Sequence, residues 1–529
     1  MPQRSVRRMA VWIALLFAFA AAAPLDAKTL RYATQDEPQT LDPHSAQLAV
    51  TNRLLSNVYE GLVGRDKNFK LVPWLAVSWT QPDPLTWRFK LRANVKFHDG
   101  AVFSADDVVF SFERVSAPTS QLKSSVLGVA AVKKVDDLTV EFKMKEPNPI
   151  LLNHLFQFRI MNKAWAVKHN ATVPQNYRDR EDTYAARHAN GTGPFRVKER
   201  QPDVRTVLTA NADWWNRSSP EKGNLSEVTL LPIRSAATRA AALLSGEVDF
   251  VNDPPPQDIA RLKAGGNVKI LESPEERVQY LVFDTFREEL LYSSVKGKNP
   301  LKDRRVREAV ARAIDVQAIR TKVMRGLSKP IGTLVTPTEG GYAKDADTRQ
   351  PYDPEAARRQ LAEAGYPNGF AITLDCGNNQ PAADICQSIP PMLSRIGIAV
   401  KPNIVPTANY FAKLQKYDTS FYLLSWGTPT SDAHYTLQYL LHTPGAPGNG
   451  EGNYGRYSNA EFDALIDQAR AEPDLARRDA RLREALLIIN RELPVVALHQ
   501  AVIPWAMKPN VSAVFPPNSV PYFFRFRVD

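Results

Sequence analysis

Residues 86–112 constrain the fold more than any other stretch of this chain. Thr86-Trp-Arg-Phe-Lys-Leu-Arg92 alternates strictly, with Trp87, Phe89 and Leu91 on one side and Arg88, Lys90 and Arg92 on the other. Successive side chains of a strand point to opposite faces, so this spacing predicts a half-buried strand. Asp99-Gly100 supplies a turn. Ser104 then stands where a helix cap is needed. Asp106 and Asp107 favour the positive first turn, and Val108, Val109 and Phe112 form an apolar face. A strand, a turn and a capped helix in succession belong to a mixed α/β chain.

The rest of the sequence repeats that mixture. Leu138, Val140, Phe142 and Met144 alternate with Thr139, Glu141, Lys143 and Lys145, which predicts a second one-sided strand. Asp303 to Arg325 reads as one helix, with Val306, Val310, Ala313 and Ile314 on its apolar face. Asp353-Pro354 reads as a helix start, because a proline in the first turn loses no hydrogen bond, and Gly365 as its end. Ser458 and Glu461 have the spacing of a capping box. Asp253-Pro-Pro-Pro256 is a stiff connector, and residues 443–455 read as a long surface loop. There are no internal repeats and no low-complexity blocks.

A chain of 529 residues exceeds one ordinary domain, so two or three lobes are expected. Hydrophobic residues make up 44% and charged residues 23%, which excludes general disorder. The net charge is +11; the first 27 residues contribute +2 of it through Arg4, Arg7, Arg8 and Asp26, leaving +9. No long basic run or nucleic-acid motif accompanies that charge, so dispersed surface charge is the reading and no nucleic-acid partner is expected.

Arg4, Arg7 and Arg8 precede an uncharged apolar stretch from Met9 to Ala23, and Ala27 offers a cleavage residue. This is the pattern of a signal peptide over residues 1–27, with export of the mature chain; an uncleaved anchor is the alternative. No cysteine lies near the cleavage point, so a lipoprotein is not expected. Cys376 and Cys386 are the only cysteines. In an oxidising compartment such a pair reads as a local disulfide, with two free buried thiols as the alternative.

The segment Trp87-Arg-Phe-Lys-Leu-Arg-Ala-Asn-Val-Lys-Phe-His-Asp-Gly100, followed by Phe103-Ser-Ala-Asp-Asp-Val108, resembles the signature of the family 5 bacterial extracellular solute-binding proteins. Leu41-Asp42-Pro43, Tyr59-Glu60-Gly61-Leu62, Gly191-Thr-Gly-Pro-Phe195, Ser245-Gly-Glu-Val-Asp249 and Ala362-Glu-Ala-Gly-Tyr-Pro367 extend the likeness along most of the chain. The resemblance implies an α/β, two-lobed periplasmic-binding-protein clamshell with an extra domain and mixed sheets. Domain I would comprise residues 28–60, 188–277 and 500–529; domain II, the extra domain, 61–187; and domain III, 278–499. It further implies a monomer that captures a small peptide or peptide-like solute and delivers it to the permease and ATPase subunits of an ABC importer. No cofactor is implied.

Peptide-binding members of that family place an aspartate three residues after a tryptophan, where it pairs with the peptide amino group. The equivalent tryptophan here is Trp426, and the aspartate position is Pro429, which offers no charge. Many family members also carry an arginine about twelve residues before the tryptophan, which reads the ligand carboxylate; here that position is Leu414, with Lys413 beside it. Both anchors of an ordinary peptide site are therefore altered. Trp426, Gly427, Thr428, Thr430 and Asp432 remain as candidate ligand residues, with Ser431 among them. Ser45, Gln47 and Leu48, beside His44, form a second candidate segment, and Asn378 and Asn379 a third.

Two rival readings compete with this one. An enzyme lacks support, since no Gly-x-Ser-x-Gly elbow, phosphate loop or His-Glu-x-x-His motif occurs. A metal carrier would have Asp432, His434 and His442 as its best local trio, but eight histidines are few for that role and no metal site is assigned. A non-peptide solute such as an opine, a sugar conjugate or a metal complex, carried by the same mechanism, stays open as the alternative ligand.

Overall fold

The computed structural model describes residues 28–379, 381–445 and 448–529; the expected signal peptide, residues 1–27, lies outside the described residues. Strand Thr86–Leu91 forms as the alternation predicts, with Phe89 fully buried and Arg88 and Lys90 exposed. It pairs antiparallel with Thr139–Met144, setting Trp87 opposite Phe142 and Phe89 opposite Val140. With Ala76–Asp83 and Val129–Asp136 they make a four-stranded antiparallel sheet. Helix Ala105–Ser116 covers it, and one apolar cluster drawn from residues 62–160 fills the space between. Asp107 accepts the Ser104 amide at 2.9 Å, closing the helix start, and its other oxygen accepts the Lys163 amide at 2.9 Å. One carboxylate thus caps the start of Ala105–Ser116 and binds the first amide of a second helix, Lys163–Lys168.

Among the described residues the larger sheet has eleven strands, drawn from both ends of the chain. At one end Thr29–Thr34 pairs in parallel with Glu227–Pro232 and with Phe250–Val251. At the other, Phe370–Gly377 pairs in parallel with Ile398–Val405 and touches Phe421–Trp426. Two long strands, Lys269–Phe283 and Val495–Met507, join the ends. In the second half the central strands are apolar on both faces. Leu281, Phe283, Phe421, Leu423 and Leu498 point into one helical layer, while Val278, Tyr280, Tyr422, Leu424 and Ala497 point into another. A sheet buried on both sides reads as continuous hydrophobic runs, as Phe421-Tyr-Leu-Leu424 does.

Helix Pro354–Glu363 starts as expected, with the Asp353 carboxylate accepting the Ala356 amide at 2.8 Å, and Gly365 beyond its end takes φ +94°. Two expectations need correction. The segment 303–325 is not one helix: Arg304–Ala313 ends at Ile314, and Asp315 caps a new turn by accepting the Ala318 amide at 2.8 Å. The chain breaks there because Asp315 offers its own backbone an alternative partner, while the Asp353 amide takes the Arg312 carbonyl. The capping box at Ser458 is also displaced by one residue. Asn459 accepts the Phe462 amide at 3.0 Å, and Ser458 instead accepts a hydrogen bond from the Thr443 hydroxyl at 2.9 Å.

Cys376 and Cys386 form a disulfide. It ties the end of strand Phe370–Gly377 to helix Ala382–Ser388 and so holds the intervening loop against the sheet.

Candidate functional site

The two long strands pair in one register from Lys269↔Met507 to Pro274↔Val502, lose it, and resume at Val278↔Gln500. The first half lies beside Phe250–Val251 and the second beside Phe421–Trp426. Residues 275–277 therefore sit at a break in the ladder of two long strands that joins one half of the sheet to the other. A ladder break bends and twists a strand locally, which suits a pivot.

Two cavities meet at this break. The larger, about 990 Å³, lies between the halves and takes its walls from Arg239 and Asp253 on one side, from Asn379 and Tyr410 on the other, and from Gln279 and Ile503 beneath. The smaller, about 340 Å³, extends between Asn52, Arg65, Arg159 and Tyr522. Arg53, Glu275 and Arg277 line both and form the neck between them. Both volumes fall in the range of ligand sites. The disulfide-held loop contributes Gly377, Asn379, Pro381 and Asp384 to the larger wall.

A family model described as bacterial extracellular solute-binding proteins, family 5 Middle, matches residues 70–448. The chain belongs to this family of solute-binding proteins. The glutathione-binding protein GsiB of Shigella dysenteriae is 28% identical over 505 residues, covering 94% of this chain and 93% of that one. Among solved structures, HbpA2 from Haemophilus parasuis superposes with a TM-score of 0.80 at 25% identity, over 95% of this chain and all of that one. The periplasmic binding protein DppA from Helicobacter pylori, solved with the peptide STSA, gives 0.74 at 24%, covering 95% and 98%. The two-lobed periplasmic-binding-protein fold is shared, and the family consists of transport proteins and not enzymes.

In this family-5 chain the sequence candidates flank the cavities more than they line them. Trp426 is half-buried; its ring stacks on Tyr439 at 5.0 Å and its indole N–H donates to Thr436 at 2.9 Å. Its one donor is spent, and the aromatic stack fixes the end of the strand whose preceding residue, Ser425, does line the larger cavity. Gly427 permits a close approach, but by the protein itself: a Cβ there would sit 2.7 Å from the Glu276 carbonyl. Thr428 and Thr430 are buried, with their hydroxyls 3.1 Å apart.

Asp432 stands differently from the expectation. It is buried against Arg478, which donates two hydrogen bonds to it at 2.6 and 2.9 Å, and it caps helix Ala433–Leu441 by accepting the His434 amide. A carboxylate so engaged has no charge left for a ligand amine. Leu414 is core, and Lys413 is taken up by Asp375 at 3.0 Å. Ser45 is likewise buried and donates to Gln175. Leu48 occupies the position before helix Ala49–Leu55 and lines neither cavity.

Of the sequence candidates, Gln47 lines the smaller cavity and Asn379 the larger. Gln47 donates to Gln157 at 3.3 Å, and Gln157 donates to the Pro429 carbonyl at 2.9 Å. The two candidate segments, far apart in sequence, thus meet through one glutamine. The trio Asp432, His434 and His442 is not gathered: the His434 ring reaches the Ile466 carbonyl, while His442 lies 3.6 Å from Asp463 and from Asp467. Among the described residues no three such side chains are placed to hold a metal ion.

Sequence reading missed the charged groups around the break. Glu276 and Glu339 are both buried. Burial pushes Glu276 up to about 7 and Glu339 up to about 8, each further disfavoured by a neighbouring carboxylate. Arg159 is buried, and among the described residues its guanidinium bonds Asn52 and Ser56 and no carboxylate. An arginine inside Phe156-Gln-Phe-Arg-Ile-Met161 was a visible signal, since a charge in an apolar run needs a reason.

Proposed function

We propose that this chain captures a small peptide or peptide-like solute in the cavity between its lobes and hands it to the membrane permease of an ABC importer. The observation that carries this is the 990 Å³ cavity at a ladder break, walled by both halves of the sheet. Closure about such a break encloses a ligand, and the ligand favours the closed form only by its differential affinity for it. The glutathione-binding name of the relatives supports a peptide-like ligand. The domains are those of the sequence reading, with 28–60, 188–277 and 500–529 as one lobe, 278–499 as the other and 61–187 beside them. The mature protein is a periplasmic monomer released from a cleaved signal peptide and carries no lipid.

Micromolar capture corresponds to about −8 kcal/mol, within reach of a few hydrogen bonds and an enclosed pocket. Isothermal titration with glutathione and with a panel of di- and tripeptides tests the reading. Binding at micromolar Kd or tighter by at least one peptide supports it. Silence toward every peptide, with tight binding of an opine or sugar conjugate, would move the assignment to the alternative class that Pro429 and Leu414 leave open.

A further inference from the structure

The smaller cavity has a charge imbalance that its protein neighbours do not correct. Its walls carry five arginines, Arg53, Arg65, Arg159, Arg277 and Arg525, against Glu60 and Glu275. Glu60 is already surrounded: it accepts the indole N–H groups of Trp74 at 2.7 Å, Trp214 at 2.9 Å and Trp215 at 3.1 Å, and the Thr192 hydroxyl at 2.7 Å. Glu275 pairs with Arg277 at 3.3 Å, and Arg525 with Glu221 at 2.7 Å. Arg159, Arg65 and Arg53 remain. Arg159 bonds only neutral oxygens, at 3.0 to 3.3 Å, and burial lowers its basicity to about 10. Arg65 is half-buried against the Phe69 and Phe156 rings, donates to the Phe69 carbonyl and to Asn153, and faces the buried Glu276, while its buried Nε has no hydrogen-bond partner. A buried cation without a counter-charge is costly, and an anion placed beside it recovers that cost.

Resting on the reading above, we propose that the 340 Å³ cavity is the anion end of the ligand site. A ligand lying in the larger cavity passes its carboxylate through the neck at Arg53 and Arg277 toward Arg159 and Arg65. The site therefore selects peptide-like solutes that carry a free carboxylate at the end entering the neck. It does so from the face of residues 52–65 and 156–159, while the positions Leu414 and Pro429 in the opposite half carry no charge.

Isothermal titrations with glutathione and with Ala-Glu, each as the free acid and as the dimethyl ester, test this. Expected is binding of at least one acid about tenfold or more tighter than its ester, since charge-assisted hydrogen bonds are the strong ones. Arg159→Gln and, separately, Arg53→Gln should erase that preference. Arg53 is half-buried at the neck, so its variant keeps the test open if the Arg159 variant fails to fold. Equal binding of acid and ester, or an acid affinity unchanged in Arg53→Gln, overturns the anion pocket and leaves peptide capture standing. If neither form of either peptide binds and the wider peptide panel is also silent, peptide capture itself fails and the anion pocket falls with it.

Discussion

Removing the Arg478 side chain decides whether Asp432 serves the fold or the ligand. Both groups are almost wholly buried, and the pair is closed by two short hydrogen bonds. Breaking a buried pair by deleting one partner costs about 3–5 kcal/mol, because the other charge is stranded. Arg478→Met strands Asp432. Asp432→Asn strands Arg478 but keeps the helix cap, since asparagine caps as well as aspartate. Unfolding entropy of about 2.1 cal/mol/K per residue makes about 0.47 kcal/mol/K for a lobe of roughly 220 residues. Either single change should then lower the melting temperature by about 6–11 °C if that lobe melts alone, and by about half as much if the chain melts as one unit. The double variant should fall well short of the sum, with a coupling of about 2 kcal/mol or more. Differential scanning calorimetry reads all four proteins. If Asp432→Asn melts within a degree of the parent and loses affinity for peptides, the structural role argued here is refuted and Asp432 is a ligand group.

Three further outcomes follow from the same structure. Replacing Cys376 and Cys386 by serine removes a loop constraint of roughly 2.7 kcal/mol in the chain-entropy model, and should lower thermal stability and loosen the wall at Asn379; the parent under reducing conditions should match the variant. Gly427→Ala forces a methyl group to 2.7 Å from the Glu276 carbonyl, so it should cost about 1–3 kcal/mol in urea unfolding, whereas unchanged stability would show that the strands separate freely there. Glu276 and Glu339 retain protons in the folded chain up to about pH 7 and 8, with Ser431, Thr338, Glu275 and Arg65 facing the first and Thr336 and Asp432 facing the second. The unfolded chain releases those protons near the ordinary glutamate range, so it binds fewer protons than the folded chain between about pH 5 and 8. Stability from these groups is therefore full below about pH 4 and is lost as pH rises toward 8. The variants Glu276→Gln and Glu339→Gln should flatten that slope, and a slope unchanged in both would show that the two acids ionise freely.

Local elements were legible where one residue's side chain settles a local question. The alternation of Trp87, Phe89 and Leu91 fixed a strand because only one face could be buried, and Asp353-Pro354 fixed a helix start because the proline needs no amide partner there. The failures have the same local origin. At Asp315 and at Ser458-Asn459 two capping residues compete within a few positions, and the sequence does not say which one the backbone takes. The site was less legible, because each of its charges is defined by a partner far away in the chain. Asp432 looks like a free acid until Arg478, forty-six residues on, is placed against it. Glu60 looks like one residue of a family motif until three indoles from two distant segments converge on it.

That dependence explains why the altered anchors at Pro429 and Leu414 coexist with an intact scaffold. The scaffold needs the Pro429 position only for its carbonyl, which accepts from Gln157, and Leu414 only for its volume in the core. Neither requirement asks for charge, so both positions can change without loss of fold. The register break at residues 275–277 is under the opposite constraint. Glu275 and Arg277 line both cavities, Glu276 accepts from Ser431, and Gly427 leaves just enough room for the strand to pass. A substitution at the break alters the neck, the ladder and the approach of the opposing loop together. Positions such as Pro429 and Leu414 can therefore change singly, whereas residues 275–277 are bound by several structural requirements at once.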